Sequence, residues 1–514
     1  MVVINYVEKN VYYDSVFLMK LASKLTNIEG IDNASIGMGT PLNKDTMADL
    51  ELLTSEGSEA TANDLIIAIR GENNEICDFA KAEFEKSIKE KRQSQGTTAY
   101  RSIGGAKAAL PDSNLAIISV AGEYAAVEGK RALQNDMNVF MFSDNVPIED
   151  EVELKKLAQE KGLYMMGPGC GLSFINGVAI GLCSMVNRGD IGLVGASGSG
   201  IQEVMVLVHR NGFGVSHAIG TGGRDMSDEV GGITMIQGIR ALEADESTKV
   251  IALISKPPSQ SALMKVISVV KECKKPVVIQ FINGDNQVLK ENGIMYSESF
   301  DQTAEMVMEL SSGKKVKLQD DMDYEKIADE EVKKFSGEQK YFRGILCGGS
   351  LTDEAQLMWT KQKGDIYSNV AFDKKLMLDD PFCSKEHTLI DIGDEIFTKG
   401  RAHVAIDPTA RVNRFIKEAR DKETAVIYLD FLLGYALHPD PASVMSKAII
   451  EEKARAKSEG RHLCVVATIC GSDMDPQGFE EQKQILLDAG VIVAETNSRV
   501  VNLAMKIINK LEER

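Results

Sequence analysis

The sequence lacks the cysteine patterns that disulfide frameworks and zinc sites require. Its eight cysteines form no Cys-x-x-Cys pair and no cluster with histidine at ligand spacing. We therefore expect free thiols in a reducing cytosol and no structural metal. No apolar run reaches the length of a membrane-spanning helix, and residues 1–10 do not resemble a signal peptide. These absences predict a cytoplasmic protein that does not enter the membrane.

Positive charge is also scarce. There are 58 lysines and arginines against 76 aspartates and glutamates, which gives a net charge of −18. This balance argues against nucleic acid or an anionic membrane as a partner. Lysines and arginines beside glycine-rich turns are then local exceptions, and they favour a small anionic substrate.

No Gly-x-Gly-x-x-Gly fingerprint follows the first strand of the nucleotide-binding-like region, which argues against an NAD site. With 514 residues, the chain is too long for one core, so about two to four domains are expected. Alternating strand and helix patterns predict a multi-domain α/β fold. The predicted parts are a small α/β domain, which is a candidate for a ferredoxin-like fold (1–95), a Rossmann-like CoA-binding-type domain (99–187), a flavodoxin-like doubly wound parallel sheet (188–311), a charged linker (312–340) and a second flavodoxin-like doubly wound sheet (341–514).

A glycine- and serine-rich turn follows a short buried strand in the middle of the chain. Ile191–Val194 form this predicted strand, and an amphipathic helix continues from Ile201. Such a turn brings backbone N–H groups and the positive end of a helix to one point, where phosphate, carboxylate or an oxyanion binds. Alternatively, glycine and serine serve only close packing. The predicted anion-binding residues are Ser197, Gly198, Ser199 and Gly200.

The same strand, turn and helix pattern recurs in the last domain after Gly344–Cys347. Its predicted anion-binding residues are Gly348, Gly349 and Ser350. Open parallel sheets bind ligands beyond the carboxyl ends of their strands. If the two sheets face each other, both helix starts point into one cleft from opposite sides.

Other loops at predicted strand ends carry side chains suited to substrate binding, because arginine presents forked donors to carboxylate or phosphate. Lys256 precedes two prolines on a stiffened backbone, although it also fits an ordinary surface lysine. His438 is a candidate acid or base, although turn preferences of proline and aspartate explain its loop equally well. The predicted catalytic residues are Lys256, Arg224 and His438, and the predicted substrate-binding residues are Gly222, Gly223, Asp225, Arg401, Arg411 and Asp440.

Four segments of the chain resemble the α-subunit of succinyl-CoA synthetase: Ala121–Gly171, Gly192–Glu203, Gly220–Asp225 and Lys275–Ile282. The region from residue 341 is similar to the carboxyl-terminal domain of its β-subunit. Within this superfamily of NDP-forming acyl-CoA ligases, the chain is most similar to the FdrA family. The resemblance implies two facing anion-binding helices, which in the ligase hold a phosphorylated histidine. The motifs that carry it are Thr61–Ile67, Gly195–Gly198, Ile219–Asp225, Leu253–Pro258, Leu389–Gly393 and His438–Pro441.

The sequence departs from the ligase pattern at the site itself. The ligase carries its phosphohistidine after the strand equivalent to Val277–Ile282, but Asn283–Phe300 contains no histidine. Lys256 stands where the ligase has the glutamate that holds this histidine. Tyr100–Gly105 replaces the glycine-rich CoA-binding turn, and no ATP-grasp domain is recognisable. The missing histidine and the lysine in place of its glutamate imply a site that holds a free anion directly. The missing CoA turn and ATP-grasp domain argue against a full ATP-dependent ligase cycle within this chain.

The resemblance implies a transferase subunit that handles an acyl or carbamoyl phosphate and a small amide or ureido acid such as oxamate. The phosphate would lie on the two helix starts, Arg224 and Lys256 would bind the carboxylate or oxyanion, and His438 would move a proton. The alternatives are an NDP-forming acyl-CoA ligase subunit and a non-catalytic scaffold. CoA or a nucleotide stays open as a cofactor, and a homo-oligomer with companion subunits is expected.

Overall fold

The computed structural model describes residues 1–11, 13, 15–26, 28–94, 100–398 and 402–514. Arg401, which the sequence predicts to bind substrate, lies outside the described residues. The described chain forms two compact units: Met1–Tyr100 with Glu395–Asp407, and Arg101–Asp394 with Pro408–Arg514. No described helix is long and apolar enough to cross a membrane.

The first unit is built on a three-stranded antiparallel sheet in the order β1-β3-β2. The central strand is buried along Leu65–Ile69 because both faces of the sheet are covered, with alternate residues packing in two separate hydrophobic clusters. One long helix covers the sheet with Cys77, Ala80, Phe84 and Ile88, whose spacing of three to four residues places them on one helical face. Its elements are β1 (Val2–Glu8), α1 (Ser15–Thr26), β2 (Ile31–Met38), α2 (Pro41–Asp49), α3 (Ser55–Glu59), β3 (Leu65–Gly71) and α4 (Asn74–Ser94).

The second unit begins with a three-stranded parallel sheet in the order β4-β5-β6. Val139, Phe140 and Met141 form its buried central strand. Its elements are α5 (Ile103–Ala109), β4 (Leu115–Ile118), α6 (Gly122–Gln134), β5 (Asn138–Met141), α7 (Ile148–Glu160) and β6 (Met165–Met166).

A seven-stranded sheet follows in the order β13-β12-β11-β9-β10-β7-β8. Five strands are parallel, and the β7–β8 hairpin adds antiparallel to β10. The sequence assigns this hairpin to the predicted domain 99–187. In the structure it belongs to the seven-stranded sheet, where buried Phe174 pairs with Ala218. Its elements are β7 (Leu172–Ile175), β8 (Val178–Gly181), β9 (Arg188–Gly195), α8 (Gly198–Arg210), β10 (Val215–Gly220), α9 (Ile233–Ala244), β11 (Val250–Ser255), α10 (Gln260–Glu272), β12 (Val277–Phe281), α11 (Asn286–Glu291), β13 (Met295–Tyr296) and α12 (Phe300–Ser312).

The last sheet is entirely parallel, in the order β15-β16-β14-β17-β18-β19. Strand β17 is buried over its whole length. The elements of this region are α13 (Tyr324–Val332), β14 (Tyr341–Leu346), α14 (Gly349–Gln362), β15 (Tyr367–Ser368), a 3-10 helix (Lys374–Leu376), β16 (Thr388–Asp391), α15 (Glu395–Thr398, in the first unit), α16 (Thr409–Arg420), β17 (Thr424–Leu432), α17 (Pro441–Ser458), β18 (Cys464–Cys470), α18 (Phe479–Asp488), β19 (Ile492–Val493) and α19 (Asn497–Glu512).

The charged segment 312–340, which the sequence predicts to be a linker, contains helix α13. Asp329 pairs with Lys510 of α19 at 2.5 Å, and Glu325 pairs with Lys506 of the same helix. The charges of this segment are therefore partnered across two packed helices. The domain boundaries stay predictions, whereas the predicted class of a multi-domain α/β fold with parallel sheets is confirmed.

A buried network of charges joins the region of the three-stranded parallel sheet β4-β5-β6 to that of the seven-stranded sheet. The Lys155 ammonium of α7 donates to Asp225 at 2.6 Å and lies 3.1 Å from Glu151, and all three side chains are buried. Asp225 also accepts the Thr234 and Met235 N–H groups at the start of α9. Each carboxylate thus depends on the same lysine.

Replacing Lys155 with methionine should destabilise the protein strongly. The substitution leaves two buried carboxylates without their shared cation, which costs about 3–5 kcal/mol of unfolding free energy. Urea denaturation measures the effect, and the exposed neighbour Lys156→Met serves as the matched control, with an expected change within about 0.5 kcal/mol. Equal stabilities of the two variants would contradict the structural role of this network.

Candidate functional site

The N-termini of helices α8 and α14 meet in the second unit. Ser197 Oγ donates to Ser350 Oγ at 2.7 Å, and the Ser350 backbone N–H donates to Ser199 Oγ at 3.0 Å. Neither Ser197 nor Gly348 caps its own helix with a side-chain hydrogen bond. The two predicted anion-binding turns therefore converge, and each helix pole contributes partial positive charge to the same place.

Glycine allows close packing around the turn that leads into α8. A Cβ atom at Gly195 would lie 1.7 Å from the Ile254 carbonyl oxygen, and one at Gly200 would lie 2.3 Å from Ser197 Oγ. At Gly198, in contrast, a Cβ atom would meet nothing within 4 Å. Gly198 and Ser199 are partly exposed, as is Gly349 on α14. The joined helix termini thus keep an accessible face.

Backbone N–H groups at the start of α14 already donate to a carboxylate of the protein, that of Asp430. Asp430 accepts the Cys347 and Gly348 N–H groups, each at 2.8 Å, and receives Arg411 Nη2 at 2.8 Å. Arg411 and Asp430 are both buried. The Gly348 N–H is therefore already engaged, and the Arg411 guanidinium neutralises Asp430. Backbone donors for a ligand then come mainly from the first turn of α8.

Lys256 lies next to α14 and pairs with Asp353 at 2.9 Å. Its side chain is half exposed, whereas Asp353 is buried. Burial by itself lowers the pKa of Lys256, but the charge and hydrogen bond of Asp353 raise it above its ordinary value. Burial raises the pKa of Asp353, and Lys256 opposes this change. The lysine is thus a cation held by a partner from the facing domain.

The loop after β10 is anchored on α7. Arg224 donates to Glu151 at 3.0 Å and to the Val146 carbonyl at 2.7 Å. Gly222 has φ of +88°, and a Cβ atom there would lie 2.4 Å from the Pro168 carbonyl. Gly223 is exposed, with open space at its Cβ position. These contacts, with the pairing of buried Asp225 to Lys155, hold this predicted group against α7, and its substrate roles stay predictions.

His438 and Asp440 lie on the loop between β17 and α17. The Asp440 N–H donates to His438 Nδ1 at 3.0 Å, and Asp440 accepts the Ser443 N–H at 3.2 Å to cap α17. Gln482 also donates to Asp440 at 3.0 Å. This geometry gives Asp440 a clear capping role, and the proposed acid/base role of His438 stays a prediction.

Two buried glutamates lie one and a half turns into the converging helices, and the sequence analysis missed both. Glu354 accepts the Phe300 N–H at 2.8 Å and Asn497 Nδ2 at 2.7 Å, and Glu203 accepts the Asn497 N–H at 3.4 Å. Each is the sixth residue of its helix, counted from Gly198 and Gly349. The shared sixth position is the only signal in the sequence that links the two glutamates. No local pattern shows that both helices are buried on the face that carries them.

Burial, together with the nearby Asp301 carboxylate, raises the pKa of Glu203 to about 7 and that of Glu354 to about 8. Burial likewise raises the pKa of Asp391, at the end of β16, to about 7. Asp353 and Asp391 were also missed as site residues, although Asp391 lies in the quoted motif Leu389–Gly393. Near neutral pH, Glu203, Glu354 and Asp391 are therefore partly protonated, whereas ordinary carboxyl groups are ionised.

Comparisons with known proteins define the class. Family models described as "CoA binding domain" and "CoA-ligase" match residues 186–282 and 345–507. The sequence analysis assigned the CoA-binding type to 99–187 instead. The chain is 26% identical to the succinate–CoA ligase α-subunit of Staphylococcus epidermidis (strain ATCC 12228) over 194 residues, which are 37% of this chain and 62% of that subunit. The chain therefore has the domains of the succinyl-CoA synthetase-like ligase superfamily.

The family follows from a full-length relative. The chain is 44% identical to YahF of Escherichia coli (strain K12) over 509 residues, which cover 99% of each protein. It belongs to the family of YahF. A model described as "AllF, heavy metal-associated domain" matches residues 1–102. Among the described residues, no three histidine, cysteine or acidic side chains group as metal ligands.

A solved structure with partial likeness is the apo form of the dinucleotide-forming acetyl-coenzyme A synthetase 1 of Ca. Korarchaeum cryptofilum. The match has 14% identity and a TM-score of 0.36, and it covers 81% of this chain and 86% of that chain. A likeness of this size establishes no shared function.

The buried glutamates should make stability fall as pH rises. An ordinary glutamate ionises near about pH 4.3, whereas Glu203 in the folded chain ionises at about 7. The native state then binds more protons than the unfolded state between these values, so the stabilisation is complete below the lower pKa and is lost through the higher one. The loss is at most about 1.4 kcal/mol per pH unit for each group.

Urea denaturation of the wild type and Glu203→Gln at several pH values measures this loss of stability. We expect a flatter profile for the variant, and an unchanged profile for the exposed control Glu309→Gln. A profile for Glu203→Gln that is no flatter than that of the wild type would contradict this assignment.

Proposed function

We propose that the chain is an FdrA-like transferase subunit that handles an acyl or carbamoyl phosphate and a small amide or ureido acid such as oxamate. The observation that carries the proposal is the contact between Ser197 Oγ and Ser350 Oγ, since it joins two helix N-termini at one accessible face. The superfamily domains support it, because phosphorylated or acylated intermediates require stabilisation of negative charge.

The residues around these termini favour a free anion over a phosphorylated side chain. No histidine occurs in Asn283–Phe300. The position that the resemblance assigns to a histidine-holding glutamate is Lys256, which pairs with Asp353. A cation at this point supports a bound oxyanion and does not support an imidazolium.

In the proposed reaction, a phosphate oxygen forms a bond to the carbamoyl carbon of a ureido acid. The bond from this carbon to the ureido nitrogen breaks, and the nitrogen leaves as an amide after it gains the proton that phosphate loses. Carbamoyl transfer from carbamoyl phosphate to the amide is the same step in reverse. The helix termini would stabilise the phosphate, and Lys256 would stabilise the oxyanion on the carbamoyl carbon.

A second candidate is a subunit of an NDP-forming acyl-CoA ligase. The match of residues 186–282 to the CoA-binding model and of residues 345–507 to the CoA-ligase model favours it. Titration with CoA separates the two candidates, since tight CoA binding supports the ligase and its absence supports the carbamoyl transferase.

The direct assay measures phosphate-dependent formation of carbamoyl phosphate from oxalurate and other ureido acids. It is run with the chain alone and with candidate companion subunits. No product with any ureido acid under either condition would refute the proposal.

Gly198→Asp should abolish this activity while the fold stays intact. The new side chain enters open space, and its carboxylate lies on the positive pole of α8, so the free energy of unfolding stays equal or rises by up to about 1 kcal/mol. The same carboxylate repels the phosphate, and we expect activity to fall at least about tenfold. Gly198→Asn is the matched control, because it adds nearly the same volume without charge. Equal losses in both variants would show that volume, and not charge, matters here.

A further inference from the structure

The carboxyl group of Asp391 lies beside the first residue of α14. Only 8% of Asp391 is exposed. Its Oδ1 accepts the Gly393 N–H at 2.9 Å, whereas no residue in the described part of the chain donates a hydrogen bond to its Oδ2. A Cβ atom at Gly349 would lie 2.8 Å from that Oδ2. The second oxygen of this mostly buried carboxyl group is thus directed at the accessible face of the helix termini.

The backbone of Asp391 is fixed on both sides. Its N–H donates to Asn369 Oδ1 at 2.9 Å, and Asn369 Nδ2 donates to its carbonyl at 3.0 Å. Glycine at position 349 leaves the space that the carboxyl group needs. Asp391 is therefore a rigidly held group, unlike a surface aspartate that can turn toward solvent.

The charges that face Asp391 require it to be neutral when an anion binds. They come from Lys256 on the loop after β11, Asp353 on α14 and Asp394 on its own loop. With Asp353 and Asp391 both ionised, one ammonium faces two carboxylates, and a further anion is repelled. Burial raises the pKa of Asp391 to about 7; Lys256 opposes this increase and Asp353 adds to it. Both protonation states are therefore populated near neutral pH.

We propose that Asp391 is a further catalytic residue, whose carboxyl group contacts the anion bound at the termini of α8 and α14 and exchanges a proton with it. This inference rests on the proposed function. As hydrogen phosphate attacks the carbamoyl carbon, the neutral Asp391 carboxyl group gives its proton to the ureido nitrogen while the carbon–nitrogen bond breaks. The resulting Asp391 carboxylate then accepts the proton that the phosphate loses. Asp391 returns to its starting state, and no other reactant is needed.

Sulfate tests the contact without turnover, because its charge is constant across the pH range and it brings no proton. Its affinity is measured by calorimetry from about pH 6 to about pH 8.5 in the wild type and in Asp391→Asn. We expect the wild type to lose at least about tenfold in affinity as Asp391 ionises. The variant, which keeps the size of the side chain and cannot ionise, should change by less than about twofold. Asp394→Asn is the matched control and should keep the wild-type dependence on pH.

Calorimetry on the wild type alone provides a second measurement, which needs no variant to fold. Near pH 8, sulfate binding should take up about 0.4 proton or more, seen as a dependence of the heat on the ionisation enthalpy of the buffer. In the turnover assay, Asp391→Asn should lower kcat at least about hundredfold.

The outcomes separate the two proposals. A pH-independent sulfate affinity in the wild type, no proton uptake, or an Asp391→Asn variant as pH-dependent as the wild type would each overturn the role of Asp391. The anion site would survive those results. If the wild type binds neither sulfate nor phosphate at any pH, the proposed function fails, and the role of Asp391 fails with it.

Discussion

Two positive helix poles meet at Ser197 and Ser350, and their mutual repulsion has to be offset by the surrounding protein. Each pole is equivalent to roughly half an elementary charge. The hydroxyl groups join the two turns directly, while Asp430 places a full carboxylate on the Cys347 and Gly348 N–H groups. The Asp430 carboxylate offsets the positive pole of α14 only. The first turn of α8 has no side-chain cap. The field available to a ligand therefore comes mostly from α8.

The buried acids below this point are consistent with such a field. Ionised glutamates inside both helices would cancel the positive poles that the turns present. Burial keeps Glu203 and Glu354 largely protonated up to about pH 7 and about pH 8. They can therefore fill polar positions in the core, through Asn497, at little electrostatic cost to the anion site.

The sequence predicts the backbone part of this site and misses most of its side-chain partners. The turns at Ser197 and Ser350 are local patterns of strand, glycine and helix, and such patterns can be read within about ten residues. Asp430 is 83 residues from the turn that it serves, so no local pattern connects the two. At Arg224 the structure adds a partner that the local pattern does not show. A solvent-facing arginine in a glycine-rich loop fits a ligand contact, but Glu151, 73 residues earlier, engages its guanidinium.

The reversal of charge at Lys256 is best understood together with Asp353. By the resemblance to the ligase, an acid at this loop would hold an imidazole; here the loop carries the cation, and the facing helix carries the acid, at 2.9 Å. A paired ammonium and carboxylate add almost no net charge, so the lysine cannot by itself supply the attraction for a substrate anion. That attraction has to come from the backbone of α8. The pair instead aligns a half-exposed donor at the edge of the helix termini, and because Asp353 limits its motion, Lys256 can act on an oxyanion that forms there without a large loss of side-chain entropy.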